Sequence, residues 1–251
     1  MSGVELAAEL SDLAQRELKD IYPAVAQLLR VTVFDVASHI LGVYDKSLYE
    51  YATEHMVQHG VRVATNCVIE KVEPTRLHIK GQDPVPYGIL LWVAGNKSVP
   101  FVDGLEVKKT EDGLVRILTD PRLRVKKRAK EYTDVYPDVF ALGDAADIEG
   151  QSLPTTAEVA VQKAKYIVRQ SQERLEGTEP FTFKSQKLVT YIGGHDGIIQ
   201  GSLMDETWSG RQAWLSWRSG SFTWTRSWRN RVSMFIAIIM NTLFGKDVVG
   251  L

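Results

Sequence analysis

Apolar residues recur at helical spacing near the start of the chain. Leu6, Leu10, Leu13 and Ala14 share a face, while Glu9, Asp12, Arg16 and Glu17 fall elsewhere, which predicts a helix over residues 4–19. The pattern then becomes continuous: Val31, Thr32, Val33 and Phe34, closing on Asp35, read as a buried parallel strand. Residues 45–59 return to helical spacing and stop at Gly60, a residue suited to a helix C-cap. Strands are expected at 61–64 and 68–72, with a shorter one near 77–79. The run GILLWVAG over 88–95 reads as a further buried strand that closes on a glycine. This alternation of helix and strand is the order of half a doubly wound dinucleotide-binding fold, so the chain is expected to be α/β with a mostly parallel sheet.

Residues 114–127 alternate around Asp120-Pro121 and predict a hairpin, and the cationic stretch 126–132 predicts a solvated loop. A strand at 139–142 follows, then a Gly143-Asp144 turn, a short loop, and a helix that opens at Pro154 and runs to about 175. Residues 181–201 alternate and turn like an antiparallel β unit. Beyond them the character changes. Five of the six tryptophans lie between Trp208 and Trp228, and from Trp208 to Leu251 six basic residues face Asp247 alone. Trp214, Trp217, Trp224 and Trp228 share a face if the stretch is helical, with Gly220 as a point of interruption. The apolar stretch 232–244 is shorter than the roughly 20 residues of a spanning helix. Tryptophans and arginines beside a short apolar helix fit an anchor lying on a membrane surface, and a soluble interface or dimer helix is the plainer reading.

A carboxylate at a strand end, followed by the start of a helix, suits a ligand with hydroxyls and an electron-rich ring. Asp144 accepts from hydroxyls, and the first N–H groups of the helix stabilise negative charge; a flavin with its ribityl chain has both. Asp35, at the end of its strand, is placed to accept from an adenosine ribose and to repel a 2′-phosphate, favouring NADH over NADPH. Ala94-Gly95 is small enough for backbone to approach a flat ring. Glu158 and Gln162 lie one helical turn apart and share a face, either as a solvated pair or as groups that meet a quinone carbonyl or carry protons. Ser2-Gly3-Val4-Glu5 sits where such a fold follows a glycine-rich turn. No G-x-G-x-x-G stands before it, so that turn and its strand are expected to be absent from this sequence.

Composition narrows the classes. With a net charge of -1 the chain as a whole carries no nucleic-acid signature. Its one cysteine, Cys67, excludes a disulfide framework and a CxxC redox pair and is expected to be an inert strand residue. His55 and His59 have i,i+4 spacing, but without an acidic partner or HExxH context they read as surface histidines, so no metal is expected. Neither a secretory nor a transit segment is recognisable.

Four segments together resemble the type II (alternative, rotenone-insensitive) NADH dehydrogenases, in particular the fungal mitochondrial kind: SGVELAAEL, LLWVAGN, VFALGDAAD with LPTTAEVAVQKAKYI, and the tail WLSWRSGSFTWTRSWRNRVSMF. The resemblance covers the chain but only the C-terminal half of such an enzyme. It implies a partial flavoprotein with two dinucleotide-binding domains, divided as 1–108 (NADH-binding), 109–178 (part of the FAD-binding domain) and 179–251 (β unit and membrane anchor). It further implies a peripheral enzyme of the mitochondrial inner membrane that passes electrons from NADH through FAD to ubiquinone without pumping protons, with a homodimer as a further expectation. Carried across, Glu5 lies near the nicotinamide and Asp35 on the ribose. Ala94-Gly95 lines the NADH site, Gly143-Asp144 holds the ribityl chain, and Thr155, Thr156 and Ala157 face the ring. Glu158 and Gln162 occupy the quinone motif, with Glu158 where the family usually has Gln. Another reading is a disulfide or sulfide:quinone reductase, against which the lone cysteine argues. A third is a truncated, inactive, membrane-associated remnant.

Overall fold

A computed structural model describes residues 1–128, 134–172, 179–184, 187–201, 207–224 and 227–244. It opens with α1 (Ser2–Asp12), which continues through a π-helical turn (Leu13–Leu18) into the short α2 (Lys19–Ile21) and α3 (Pro23–Ala26). β1 (Val31–Phe34), α4 (Lys46–Gln58) and β2 (Val61–Ala64) follow, then β3 (Ile69–Glu73), β4 (Arg76–Ile79) and β5 (Val85–Pro86). The next stretch holds α5 (Pro100–Gly104), β6 (Ile117–Thr119), β7 (Arg124–Lys126), β8 (Val135–Phe140), β9 (Ala146–Ile148) and α6 (Ala157–Gln172). The chain closes with β10 (Leu188–Gly193), β11 (Asp196–Gln200), β12 (Thr207–Gly210), α7 (Arg211–Trp224) and α8 (Trp228–Phe244).

These elements form two compact units, Met1–Val93 with Gln186–Leu251, and Ala94–Ser185. The divisions fall at 93/94 and 185/186, because the late β unit shares a core with the first helices. Val4 and Ala7 of α1, Ala52 and Met56 of α4, Val61 of β2 and Ile192 and Ile198 of the β10–β11 hairpin are buried together. Each large side chain so buried contributes roughly 1.5–3 kcal/mol. Polar contacts tie the same elements: Asp12 accepts from the Gly194 N–H at 3.0 Å, and Tyr44 Oη lies 2.7 Å from Thr190 Oγ1. α7 packs on β11 so closely that a Cβ at Gly197 would meet Trp214 N at 3.1 Å.

The expectation of a mostly parallel sheet is corrected. Among the described residues only β1–β2 and β6–β9 pair in parallel; the sheets β3–β4–β5 and β10–β11–β12 and the pairs β6–β7 and β7–β8 are antiparallel. The strand expected over 88–95 does not form. Ile89 and Trp92 are 83% and 62% exposed, and among the described residues no strand lies alongside to accept their hydrogen bonds. An apolar run supplies the side chains of a buried strand but not its partner. β8 occurs near the expected 139–142 strand, yet Val139 and Leu142 are exposed rather than buried. The helix expected from Pro154 starts three residues later, and its end beyond 172 lies outside the described residues, as does part of the loop at 126–132. Gly220 does not interrupt α7.

Candidate functional site

In the unit Ala94–Ser185, a cavity of about 430 Å3 opens among Asn96, Leu114, Arg116, Ser152, Leu153, Pro154 and Thr155. The sequence builds it locally. Gly143, at φ +81°, turns the chain out of β8 and back into β9. β9 pairs in parallel with β6, which is why Asp147 and the residues just before β6 meet. The loop after β9 then leads to α6. Thr156 caps that helix, its Oγ1 accepting from the Val159 N–H at 3.4 Å, and Thr155, Thr156 and Ala157 are exposed. The start of α6 therefore presents backbone donors and a positive helix end to solvent.

Behind the cavity lies a buried charge cluster that sequence reasoning missed. Asp147 is 3% exposed. One of its oxygens, Oδ2, is 2.9 Å from Arg116 Nη2, and the other accepts from the N–H groups of Ile148 and Leu153 at 3.1 and 3.2 Å. Arg116 also donates to the Leu153 carbonyl at 3.2 Å and to Ser152 Oγ at 3.4 Å, while its Nε is buried without a partner. Lys163, on the inner face of α6, is 1% exposed and donates to the Ala146 carbonyl at 3.4 Å. Burial pushes its ammonium below the ordinary lysine range; Asp147 works against that shift and Arg116 reinforces it. A signal for Lys163 existed, since it stands four residues from both the buried Val159 and the half-buried Ile167, inside the apolar stripe of its helix.

The expected residues fall as follows. Gly143 and Asp144 sit at the β8–β9 turn, with Asp144 exposed. Ala94 and Gly95 are exposed and run directly into Asn96, a lining residue, so this unit holds them together with Thr155. Glu158 and Gln162 do share a face: Gln162 Nε2 donates to Glu158 Oε1 at 2.9 Å. The Gln162 amide is also matched to the backbone of Lys184, donating to its carbonyl at 2.8 Å and accepting from its N–H at 3.1 Å.

Glu5 and Asp35 belong to the other unit. Glu5 is half-buried on α1, accepts from the Tyr191 N–H at 3.3 Å and from Trp217, and burial raises its carboxyl above the usual range. Asp35, at the end of β1, folds back to accept from the Ala37 N–H at 2.9 Å. In the same unit His55 and His59 are stacked 4.1 Å apart, and His55 bonds the Gly193 carbonyl. Cys67 is buried.

A parallel strand pair with a carboxylate at its C-terminal end, joined in sequence to a second unit with a helix-headed cavity, makes a mixed α/β arrangement. The model of the pyridine nucleotide-disulphide oxidoreductase family matches residues 1–164, and the chain belongs to that family. A probable NADH dehydrogenase of Dictyostelium discoideum is 29% identical over 98% of this chain and 53% of its own length. The internal alternative NAD(P)H-ubiquinone oxidoreductase A1, mitochondrial, of Arabidopsis thaliana is 30% identical over 98% of this chain and 50% of its own. The chain thus spans about half the length of the curated relatives it matches. In structure it resembles NDH2 from Plasmodium falciparum, solved in complex with NADH, with a TM-score of 0.85 at 17% identity over 97% of this chain and 64% of that one.

Proposed function

We propose that this chain forms part of a flavin-dependent NADH:ubiquinone oxidoreductase of the type II, non-proton-pumping kind. The observation that carries the reading is the cavity at the head of α6, where exposed backbone donors meet the half-buried Arg116, whose buried Nε lacks an acceptor. An electron-rich ring edge fits that donor set. Asp144 would hold ribityl hydroxyls and residues 155–157 the ring; when bound, FAD supplies the capacity to take a hydride and release electrons. In the other unit, Asp35 is positioned for the NADH ribose, and Glu5 for the nicotinamide as the family resemblance has it. On the quinone side, Gln162 acts as a positioning residue: fixed by Lys184, it holds the Glu158 carboxylate, which holds or gives the proton. The curated relatives named mitochondrial support a place on the mitochondrial inner membrane.

The membrane surface is met through the tail. Trp228, Val232, Phe235, Ile236, Ile239, Met240, Leu243 and Phe244 of α8 are exposed, beside Arg229 and Arg231. Among the described residues no helix is long and apolar enough to cross a membrane. At about 1.5 Å per residue α8 is about 25 Å long, and it lies along the interface rather than through it.

The test is reconstitution. The chain is joined to the amino-terminal half of the Dictyostelium relative, and flavin content and NADH-dependent ubiquinone reduction are measured with and without D144A. Flavin-dependent turnover that D144A abolishes supports the reading; a flavin-loaded assembly that leaves quinone untouched overturns it. A non-catalytic, membrane-associated remnant is the second reading, favoured by the exposed apolar stretch at 89–93. It predicts vesicle binding with no flavin uptake by any assembly.

A further inference from the structure

The cluster behind the cavity holds two cations against one carboxylate. Asp147 faces Arg116 and Lys163, and its oxygens are already taken by Arg116 and two backbone N–H groups. Lys163, with three donor hydrogens and 1% exposure, donates to the Ala146 carbonyl at 3.4 Å. The charged groups that face it are Asp147 of β9 and Arg116 from the segment before β6. Glu149, two residues beyond Asp147, is committed elsewhere, to Lys108 and Lys126. With Lys163 protonated the cluster carries one more positive charge than negative, an excess that an anion in the adjoining cavity offsets. The approach is built in: Asp147 is bonded to Arg116 and Leu153, and both line the cavity. The Lys163 ammonium meets the carbonyl of Ala146, the residue beside Asp147, so it acts on the cavity through Asp147 and Arg116.

We propose that Lys163 is a positioning residue that sets the charge preference of this cavity, making it select a planar ring with a negatively charged edge over the same ring uncharged. The inference rests on the reading that the cavity receives a flavin ring, whose charge changes on reduction, and it names the group that favours the anionic form. The ligand undergoes no covalent change; when Lys163 is neutral, anion binding is coupled to transfer of one proton from the buffer acid to its Nζ, leaving the buffer base.

The probes are orotate and uracil, both methylated at N1 and N3 so that no ring N–H titrates in the alkaline range; they share a pyrimidine ring and differ by one carboxylate. They are titrated by calorimetry into the chain freed of any flavin, from pH 7 to pH 10.5. The wild-type chain is expected to bind orotate at least tenfold more tightly than uracil at pH 7. That preference falls several-fold toward pH 10.5 as Lys163 loses its proton. K163M should show the weak alkaline preference at every pH, and K163R should keep the pH 7 preference throughout. A wild-type chain that ignores orotate, or whose preference does not change with pH, overturns the proposal, and so does a K163M profile matching wild type. Orotate selectivity in a chain that no assembly can load with flavin sinks the flavin reading alone.

Discussion

Asp147 is served by Arg116 and two backbone N–H groups at once, and this decides what single changes cost in the unit that holds it. R116M leaves the carboxylate buried without its direct ion-pair partner and is expected to cost about 3 kcal/mol of unfolding free energy, read from urea denaturation. K163M removes a buried cation while Asp147 keeps Arg116, so it should be neutral or stabilise by about 1 kcal/mol at pH 7. The pH dependence has a definite sign. The folded value for Lys163 lies below 10.5, so between that value and 10.5 the unfolded chain binds more protons. Stability attributable to Lys163 therefore rises with pH across that window, and the difference between wild type and K163M traces the rise. A stability difference flat up to pH 10.5 would contradict the assignment. At Gly197 a Cβ would press on backbone atoms of Trp214, Thr190 and Ala213, so G197A should cost about 1–3 kcal/mol through overpacking.

At the scale of elements, the β3–β4 hairpin carries its own acid sensitivity. A hydrogen bond from Lys71 and the approach of the His78 ring at 3.1 Å hold the Glu73 carboxyl at about 2. The hairpin's local stability should be fully present above 4.5 and fade as pH falls toward 2, with salt weakening the effect; amide exchange at residues 69–79 reads it. The strands of this hairpin though not their antiparallel pairing, the β1–β2 pair, α4 with its Gly60 stop and the β10–β11 hairpin were legible in the sequence, because each takes its pattern from local spacing and turn residues. The segment at 89–93 was not, since its apolar residues specify burial only when another strand lies beside them. The cavity was partly legible: Pro154 and Thr155 announce themselves as the signal that opens α6. Arg116 becomes a site residue only through the parallel register of β6 and β9, which spacing along the chain does not reveal.

The whole molecule presents two apolar faces with different destinies. The face of α8 is flanked by arginines, and the chain should bind anionic vesicles more strongly than neutral ones, less so at high salt, with deletion of residues 227–251 abolishing the binding in a flotation assay. Binding that survives the deletion would remove the anchor, and a salt-insensitive dimer through α8 would replace it. The stretch at 89–93 has no such charges, and exposed extended apolar backbone invites pairing with another chain. L91K should therefore reduce concentration-dependent association measured by light scattering while leaving the melting temperature unchanged, because Leu91 is 50% exposed.

Trp92 stands in that same stretch, far along the sequence from the five tryptophans of the tail. An indole 62% open to water emits at long wavelength and meets quenchers freely. Subtracting the emission of W92F from that of the intact chain isolates this one ring. The molecule thus carries its own optical gauge: the difference signal moves to shorter wavelength, and iodide loses access to it, at the moment any polypeptide settles against this edge.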